Sequence, residues 1–188
     1  MSRLWGGVDL REFGSGKTGF TNSLRVLGLR RALPVLLGDL AKGLAAALLP
    51  LLYTDDPWAR AAGGLAAVAG HVWPLFAGFR GGRGVLTGAG VLLALSPLAV
   101  LAVVPLALLG LWLTRYASVG SISGALLAGA VFTLLAAVDF HAWAYAVAAT
   151  AGGALIVALH RDNIGRLLAG TERKLGEGGE RRVAAERR

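Results

Sequence analysis

The sequence predicts an all-α fold, a polytopic transmembrane helical bundle of about six spans, and three observations lead there. First, 55% of the 188 residues are hydrophobic and only 16% charged, with a mean hydropathy of +0.63; a soluble domain carries about a quarter of its residues charged. Second, the charge is clustered. No charged residue lies between Arg83 and Arg115, and none between Arg115 and Asp139, whereas a bilayer asks for runs of about 20 apolar residues. Third, there are 28 glycines and a matching excess of alanine. Lipid supplies little hydrophobic drive between helices, so small residues that let backbones approach closely stabilise a bundle instead.

The six spans read as residues 32–53, 59–79, 84–96, 98–113, 119–138 and 142–159. The third and fourth need an argument. The uncharged run from Gly84 to Thr114 is 31 residues, about 46 Å as one helix at 1.5 Å per residue. That exceeds a hydrocarbon core of about 30 Å. Ser96-Pro97 supplies a break, because proline disfavours helix in the residue before it, so two short helices are expected. Charge supports this count. With six crossings, 17 of the 19 Lys and Arg fall on one side, Arg60 falls on the other and Lys42 lies within the first span. Lys and Arg accumulate in cytoplasmic loops, which selects six crossings with both termini cytoplasmic. The segment 1–172 is then a single integral membrane domain. The remainder, 173–188, is a mixed-charge cytoplasmic tail expected to be disordered or to lie on the anionic leaflet. No apolar signal-peptide core precedes the first span.

Composition also excludes chemistry. There is no cysteine, which removes disulfides, thiolate catalysis and cysteine metal sites together. The three histidines are far apart in sequence, so neither a metal nor another cofactor is expected. A net charge of +8 and a pI near 11.0 suggest nucleic acid in a soluble protein; here the positive-inside bias accounts for them and no nucleic-acid partner is expected.

Three clusters carry chemistry, all on the basic side. The first, Gly14-Ser15-Gly16-Lys17-Thr18-Gly19-Phe20-Thr21-Asn22-Ser23-Leu24-Arg25, contains both GxGxxG and Gly-Lys-Thr. A Walker A loop needs a glycine where Arg11 stands, and neither nucleotide motif has its strand or βαβ unit. The physics remains: glycines allow close backbone approach to an anion, successive N–H groups form an anion-binding concavity, and Ser15, Lys17, Thr21, Asn22 and Arg25 add donors. The second cluster joins His71 to Arg80-Gly81-Gly82-Arg83-Gly84, at the N-terminus of the third helix, where unpaired N–H groups and the helix dipole favour anions. The third is His160-Arg161-Asp162-Asn163-Ile164-Gly165-Arg166, running to Glu172. Arg115, Tyr116, Ser118 and Ser121 form a smaller patch. Asp39 and Lys42, three residues apart, share one helical face. Charges at such depth pair or face a cavity.

Together these clusters resemble the bacterial acyl-phosphate:glycerol-3-phosphate acyltransferase family (PlsY-type). The family's GSGNxGATNxxRxxG is matched by GSGKTGFTNSLRVLG at 14–28, and its GHxxPxFxxFKGGKGVAT by GHVWPLFAGFRGGRGVLT at 70–87. HxxNIxRLxxGTE is matched by HRDNIGRLLAGTE at 160–172, with DxxKG at 39–43 and TRYxSxxS at 114–121 between them. The resemblance covers residues 7–172. It implies transfer of a fatty acyl group from acyl phosphate to glycerol 3-phosphate, giving 1-acyl-glycerol 3-phosphate in phospholipid synthesis. The implied site lies at the cytoplasmic face of the bacterial cell membrane.

By that resemblance Gly14, Ser15, Gly16, Lys17, Thr21, Asn22, Arg25, Asp39, Lys42, Gly81, Gly82, Arg83, Arg115, Ser121, His160 and Arg166 are expected to bind substrate phosphates. His71, Asn163 and Glu172 are expected to be the catalytic residues, orienting the hydroxyl or the supporting loops. The His-x4-Asp dyad of soluble-donor acyltransferases is missing: the fifth residue after His71, His141 and His160 is Phe76, Ala146 and Gly165. Acyl phosphate is already an activated anhydride, so positioning and charge stabilisation suffice. Lys17 stands where the family shows Asn, Phe20 where it shows Ala, Arg80 and Arg83 where it shows lysine, and Leu86 where it shows a small residue. The family has seven helices, the first ahead of the GSG loop, and this sequence predicts six. The rival readings are a carrier of an organophosphate and an inactive paralogue serving as a membrane scaffold; nearly bare spans speak against the carrier.

Overall fold

The computed structural model describes residues 9–177 and 179, and among these every regular element is helical. After a 3₁₀ turn at Leu10–Glu12 come α1 (Phe20–Leu27), α2 (Leu29–Leu48), α3 (Pro57–Val72) and α4 (Val85–Leu95). They are followed by α5 (Pro97–Thr114), α6 (Ala117–Ala137), α7 (Trp143–Leu159) and α8 (Arg161–Leu168). The six expected spans correspond to α2–α7. Among the described residues, three segments are long and apolar enough to cross a membrane: Leu29–Leu52, Pro97–Thr114 and Ala117–Ala137. The pair α7 and α8, bent by 56°, makes a fourth if taken as one span. The third span is short, as the break at Ser96-Pro97 predicts: α4 has 11 residues, about 16 Å of helix, or half the hydrocarbon core of about 30 Å.

Two boundaries have clear causes. Ser96 is extended at φ −158° and its hydroxyl accepts from the Ala99 amide, so it ends α4 and caps α5, as Ser96-Pro97 predicts. The second span, read to residue 79, stops as helix at Val72 because Pro74 forces Trp73 out of the helical region (φ −120°, ψ 65°). Residues 73–84 become a loop instead, with a 3₁₀ turn at Leu75–Ala77. The first span begins at Leu29, divided from amphipathic α1 by Gly28 at φ 75°, a conformation natural only to glycine.

The tightest crossing is α2 on α4. A Cβ on Gly43 would strike the Thr87 carbonyl, and one on Gly90 would strike the Leu40 carbonyl. Two glycines thus bring two backbones into direct contact and fix the depth of Asp39 relative to the start of α4. Gly120 and Gly153 play the same part where α6 meets Ala107 of α5 and Ala125 meets α7.

The helix ends sort into two groups. At one end Arg60 of α3 donates to the carbonyls of Ala47 (3.3 Å) and Ala94 (2.6 Å) and to the Tyr145 hydroxyl (2.6 Å). This cation is no loop charge; it caps the C-terminal carbonyls of α2 and α4 and ties them to α7. Nearby, His141 pairs with Ser96. The opposite end collects the Gly14–Asn22 loop and the adjoining ends of α3, α4, α6 and α7 around one cavity. The buried apolar core, including Leu95, Ala99, Phe132, Ala136 and Tyr145, extends from mid-bundle toward the Arg60 end.

The tail from residue 180 on, and residue 178, lie outside the described residues. Its first residues are fastened to the body: the Leu175 amide donates to the Arg115 carbonyl (2.7 Å), and the Arg173 carbonyl accepts from Arg25 (3.3 Å).

Replacing Gly43 by Leu inserts a side chain into the α2–α4 contact and is expected to cost about 3 kcal/mol or more. The thermal unfolding midpoint of detergent-solubilised protein should fall accordingly. Gly38→Ala, on the same helix but with open space around it, should leave the midpoint unchanged or raise it slightly; equal losses in both variants contradict the crossing.

Candidate active site

The glycine-rich first loop is folded by one side chain. Asn22 is 2% exposed; its amide lies within 3.1 Å of the Leu10, Phe13 and Lys17 carbonyls, and its Oδ1 accepts from the Ser15 amide at 3.0 Å. Gly14 and Gly16 take φ of 53° and 70°, so the chain winds around Asn22 and turns Ser15 and Lys17 toward the cavity that both line. Asn22 therefore shapes the loop with its side-chain donors spent on backbone carbonyls, while the residue itself still lines the cavity. Sequence alone does not separate the two roles, since both need an amide at that place.

The cavity has a volume of about 140 Å³. It receives Ser15 and Lys17 from the loop, Gly19, Phe20 and Thr21 from the start of α1, and Gly84, Val85 and Leu86 from the start of α4. Two helix N-termini thus converge on one space, each offering unpaired N–H groups and the positive end of a dipole. Gly84 enters α4 at φ 79°, where glycine avoids the strain of a left-handed conformation. Lys17 and Arg83 add full charges; Asp39, His71, Ser121 and His160 complete the wall.

His71 lies within 2.5 Å of Lys42 Nζ and 3.3 Å of Asp39 Oδ1 through its Nδ1, while Lys42 also pairs with Asp39 at 2.6 Å. On its other side the ring is packed under the Gly81-Gly82 backbone, where a Cβ on Gly82 would collide with it. The Gly81 and Gly82 amides donate to the Val72 and His71 carbonyls. Gly81 and Gly82 thus serve close packing of the loop on the end of α3, not phosphate contact, and His71 holds Asp39, Lys42 and that loop together. Lys42 does not line the cavity. His160 is 2% exposed, with Nδ1 2.8 Å from the Ile156 carbonyl. Committing Nδ1–H there leaves Nε2 as the nitrogen open to a substrate group.

Asn163, Arg166 and Glu172 form a separate cluster that does not reach this cavity. The Glu172 carboxylate, 4% exposed, accepts from Asn163 (2.6 Å), Ser118 (2.9 Å) and Arg166 (2.7 Å). It clamps α8 to the start of α6. Burial alone opposes its charge, but these three hydrogen bonds outweigh that and hold its carboxyl below the ordinary glutamate value. Of the two roles expected of Asn163 and Glu172, these contacts favour the supporting one: the Asn163 amide nitrogen is spent on Glu172, and the Asn163 Oδ1 is buried with no partner among the described residues. Arg25 lies close by, with a buried Nε that has no partner among the described residues. Burial is the largest influence on Arg25 and Arg83 and lowers both pKa values, with Glu172 acting in the opposite direction. Arg83 also donates to the Leu159 carbonyl (3.2 Å). The Arg115 side chain is exposed and faces neither cavity; its backbone carries the contact to Leu175. Among the described residues no three His, Asp or Glu gather as a metal-binding group.

A second, apolar cavity of about 310 Å³ runs down the bundle between α3, α4, α5, α6 and α7. It shares Phe20, Thr21, Val85, Leu86 and Ser121 with the polar cavity, so a charged chamber opens into a greasy groove. Sequence reasoning missed this groove, although a signal existed: Ala117, Gly120, Ser121, Gly124, Ala125 and Ala128 recur every three or four residues and line it.

The model of the glycerol-3-phosphate acyltransferase family matches residues 1–170. The chain belongs to that family. It is 42% identical over 182 residues to "Glycerol-3-phosphate acyltransferase 3" of Dehalococcoides mccartyi, covering 90% of this chain and 84% of the relative. With "Glycerol-3-phosphate acyltransferase 1" of Deinococcus radiodurans it shares 46% identity over 172 residues, 91% of this chain and 84% of the relative. Its fold is similar to the crystal structure of PlsY (YgiH), an integral membrane glycerol 3-phosphate acyltransferase, in the glycerol 3-phosphate form. The TM-score is 0.81 at 39% identity, over 93% of this chain and 86% of that one. The lysophosphatidic acid form of PlsY gives 0.74 at 38% identity, over 85% and 80%. This acyltransferase is a multi-pass integral membrane protein.

The Glu172 clamp has a pH signature. Its folded pKa lies below the unfolded one, so its stabilisation is fully present above the unfolded value of about 4.3 and is lost as pH falls through the folded value. Glu172→Gln is expected to lose about 2 kcal/mol at pH 7. In thermal unfolding the gap to the unsubstituted protein should stay constant from pH 7 to about 5 and narrow below about 4.3; a pH-independent gap contradicts the clamp.

Proposed function

We propose that this chain transfers a fatty acyl group from acyl phosphate to glycerol 3-phosphate, giving 1-acyl-glycerol 3-phosphate. The observation that carries the reading is the junction of the two cavities. A phosphate-sized polar chamber with two helix N-termini, Lys17 and Arg83 opens directly into an apolar groove. That pairing suits a molecule with an anionic head and a hydrocarbon chain, joined at the carbonyl where reaction occurs. Family membership supports glycerol 3-phosphate as acceptor, the molecule present in the similar PlsY structure.

In the reaction the acceptor hydroxyl oxygen attacks the acyl carbonyl carbon, the bond from that carbon to the phosphate oxygen breaks, and inorganic phosphate leaves. The hydroxyl proton goes to the departing phosphate, which is basic enough to take it once released from the anhydride. Arg83, Lys17 and the N–H groups opening α1 and α4 stabilise the phosphates and the developing negative charge in a half-dry site. Ser15, Thr21 and Ser121 supply hydroxyl hydrogen bonds to phosphate or carbonyl oxygens. His160 Nε2 orients the attacking hydroxyl. Asp39, Lys42 and His71 hold the 81–84 loop in place.

The site opens to the cytoplasm, with the C-terminus on that side. The support is the charge count: among the described residues, 12 of the 14 Lys and Arg belong to the end that carries the polar cavity, and Lys and Arg concentrate on the cytoplasmic side. Glycerol 3-phosphate then arrives from water and the acyl donor from the leaflet.

Purified protein given labelled glycerol 3-phosphate is expected to make lysophosphatidate with palmitoyl phosphate and none with palmitoyl-CoA. Arg83→Ala is expected to lower kcat/KM by about 100-fold or more, and Lys17→Asn to raise the KM for one phosphate substrate. Product from the CoA ester, or unchanged kinetics in Arg83→Ala, would contradict this assignment.

A further inference from the structure

The apolar groove has a definite end, and it is built from the one histidine that the reaction does not use. On α6 the lining residues are all small, from Ala117 through Ser121 and Ala125 to Ala128. The next position of that face is Phe132, 0% exposed and outside the groove lining. On α7 the same occurs in the opposite chain direction: Ile156, Gly153, Gly152, Ala149 and Ala148 line the groove, and the next position is Tyr145, 8% exposed. Phe132 and Tyr145 both pack on the His141 ring, with centroids 6.0 Å away in each case. His141 Nε2 in turn lies 2.7 Å from the Ser96 hydroxyl at the break between α4 and α5. Four of the helices that wall the groove, α4 to α7, thus meet in one cross-layer of Ser96, Phe132, His141 and Tyr145.

We propose that this layer is a chain-length stop for the acyl group carried by the substrate. The inference rests on the reading that acyl phosphate fills the groove. From Ser121, where the groove meets the polar cavity, to Phe132 is 11 residues, and from Ile156 to Tyr145 is again 11. Both helices give a depth of about 16 Å at 1.5 Å per residue. An extended chain advances about 1.2 Å per bond, from the backbone repeat of 3.3–3.6 Å per three bonds. The groove therefore takes about 13 bonds of straight chain before it meets Phe132. The stop is firm because Phe132 stacks on a ring that is pinned at its far nitrogen, rather than on a flexible side chain. Ala128 sits one helical turn short of it, so a large side chain there removes about 5 Å, or some four bonds.

The test compares kcat/KM for acyl phosphates of 10, 12, 14, 16 and 18 carbons in the unsubstituted enzyme, Ala128→Leu and Phe132→Ala, with the KM for glycerol 3-phosphate measured alongside. Ala128→Leu is expected to move the optimum about four carbons shorter, changing the ratio between the 16- and 10-carbon donors by about tenfold or more. Phe132→Ala is expected to move it longer or flatten it, and neither should alter the KM for glycerol 3-phosphate. Ala128→Leu adds its bulk at a position that lines the groove, so it reports even where Phe132→Ala fails to fold. An active Ala128→Leu enzyme with the original profile overturns the stop and leaves the donor reading standing. Absence of product from the unsubstituted enzyme with every acyl phosphate overturns the donor reading and the stop with it.

Discussion

The contact on which the site depends is the backbone crossing of α2 and α4 at Gly43 and Gly90. In lipid no hydrophobic gain draws two helices together, so their approach is set by what stands between the backbones. With hydrogen on both sides, the Thr87 and Leu40 carbonyls sit where side chains would otherwise be. That depth brings Asp39 of α2 to the level of Gly84–Leu86 at the start of α4, and both line the polar cavity. Lys42 and His71 follow, because Asp39 holds them by ion pair and hydrogen bond. The 81–84 loop follows in turn, since it rests on the His71 ring. A change of side-chain size at two glycines far from any substrate thus propagates to the phosphate chamber.

The polar residues of the motifs divide into those that face the chamber and those that build it. Ser15, Lys17, Thr21, Arg83, Ser121 and His160 face it, and Asn22, Asp39 and His71 line it while also building its frame. Asn22 winds the first loop, Gly81 and Gly82 allow close packing, and Glu172 with Asn163, Arg166 and Ser118 fastens α8 to α6. Fastening matters here because the wall of a bilayer-level site cannot rely on hydrophobic collapse to stay shut. A carboxylate with three donors is a strong local tie in a dry setting.

The helical membrane fold and the break at Ser96-Pro97 were legible in the sequence, because absence of charge and the geometry of proline are local properties. Part of the chamber wall was legible as well: Ser15, Lys17 and Thr21 of the first cluster, Arg83 of the second and His160 of the third line the polar cavity, whereas Asn163, Arg166 and Glu172 form a cluster of their own. Individual roles were not. An asparagine that binds phosphate and one that binds carbonyls look alike until the Leu10, Phe13 and Lys17 carbonyls are seen converging on Asn22. The length of the second span was overread because the apolar run Trp73–Phe79 continues past the helix, and apolarity reports burial or lipid contact rather than helicity. The groove escaped notice because glycine and alanine on α6 and α7 serve packing and cavity walls equally well; only their termination at Phe132 and Tyr145 distinguishes the second use.

The central claim is that the charged chamber and the apolar groove form one site, joined at Phe20, Thr21, Val85, Leu86 and Ser121. A crystal structure with a non-hydrolysable acyl phosphonate tests it most directly. The account predicts the phosphonate between the N-termini of α1 and α4, within hydrogen-bond reach of Lys17 and Arg83, and the chain running along the small residues of α6 toward Phe132. A chain lying on the lipid-facing surface of α5, with the groove unfilled, would contradict it.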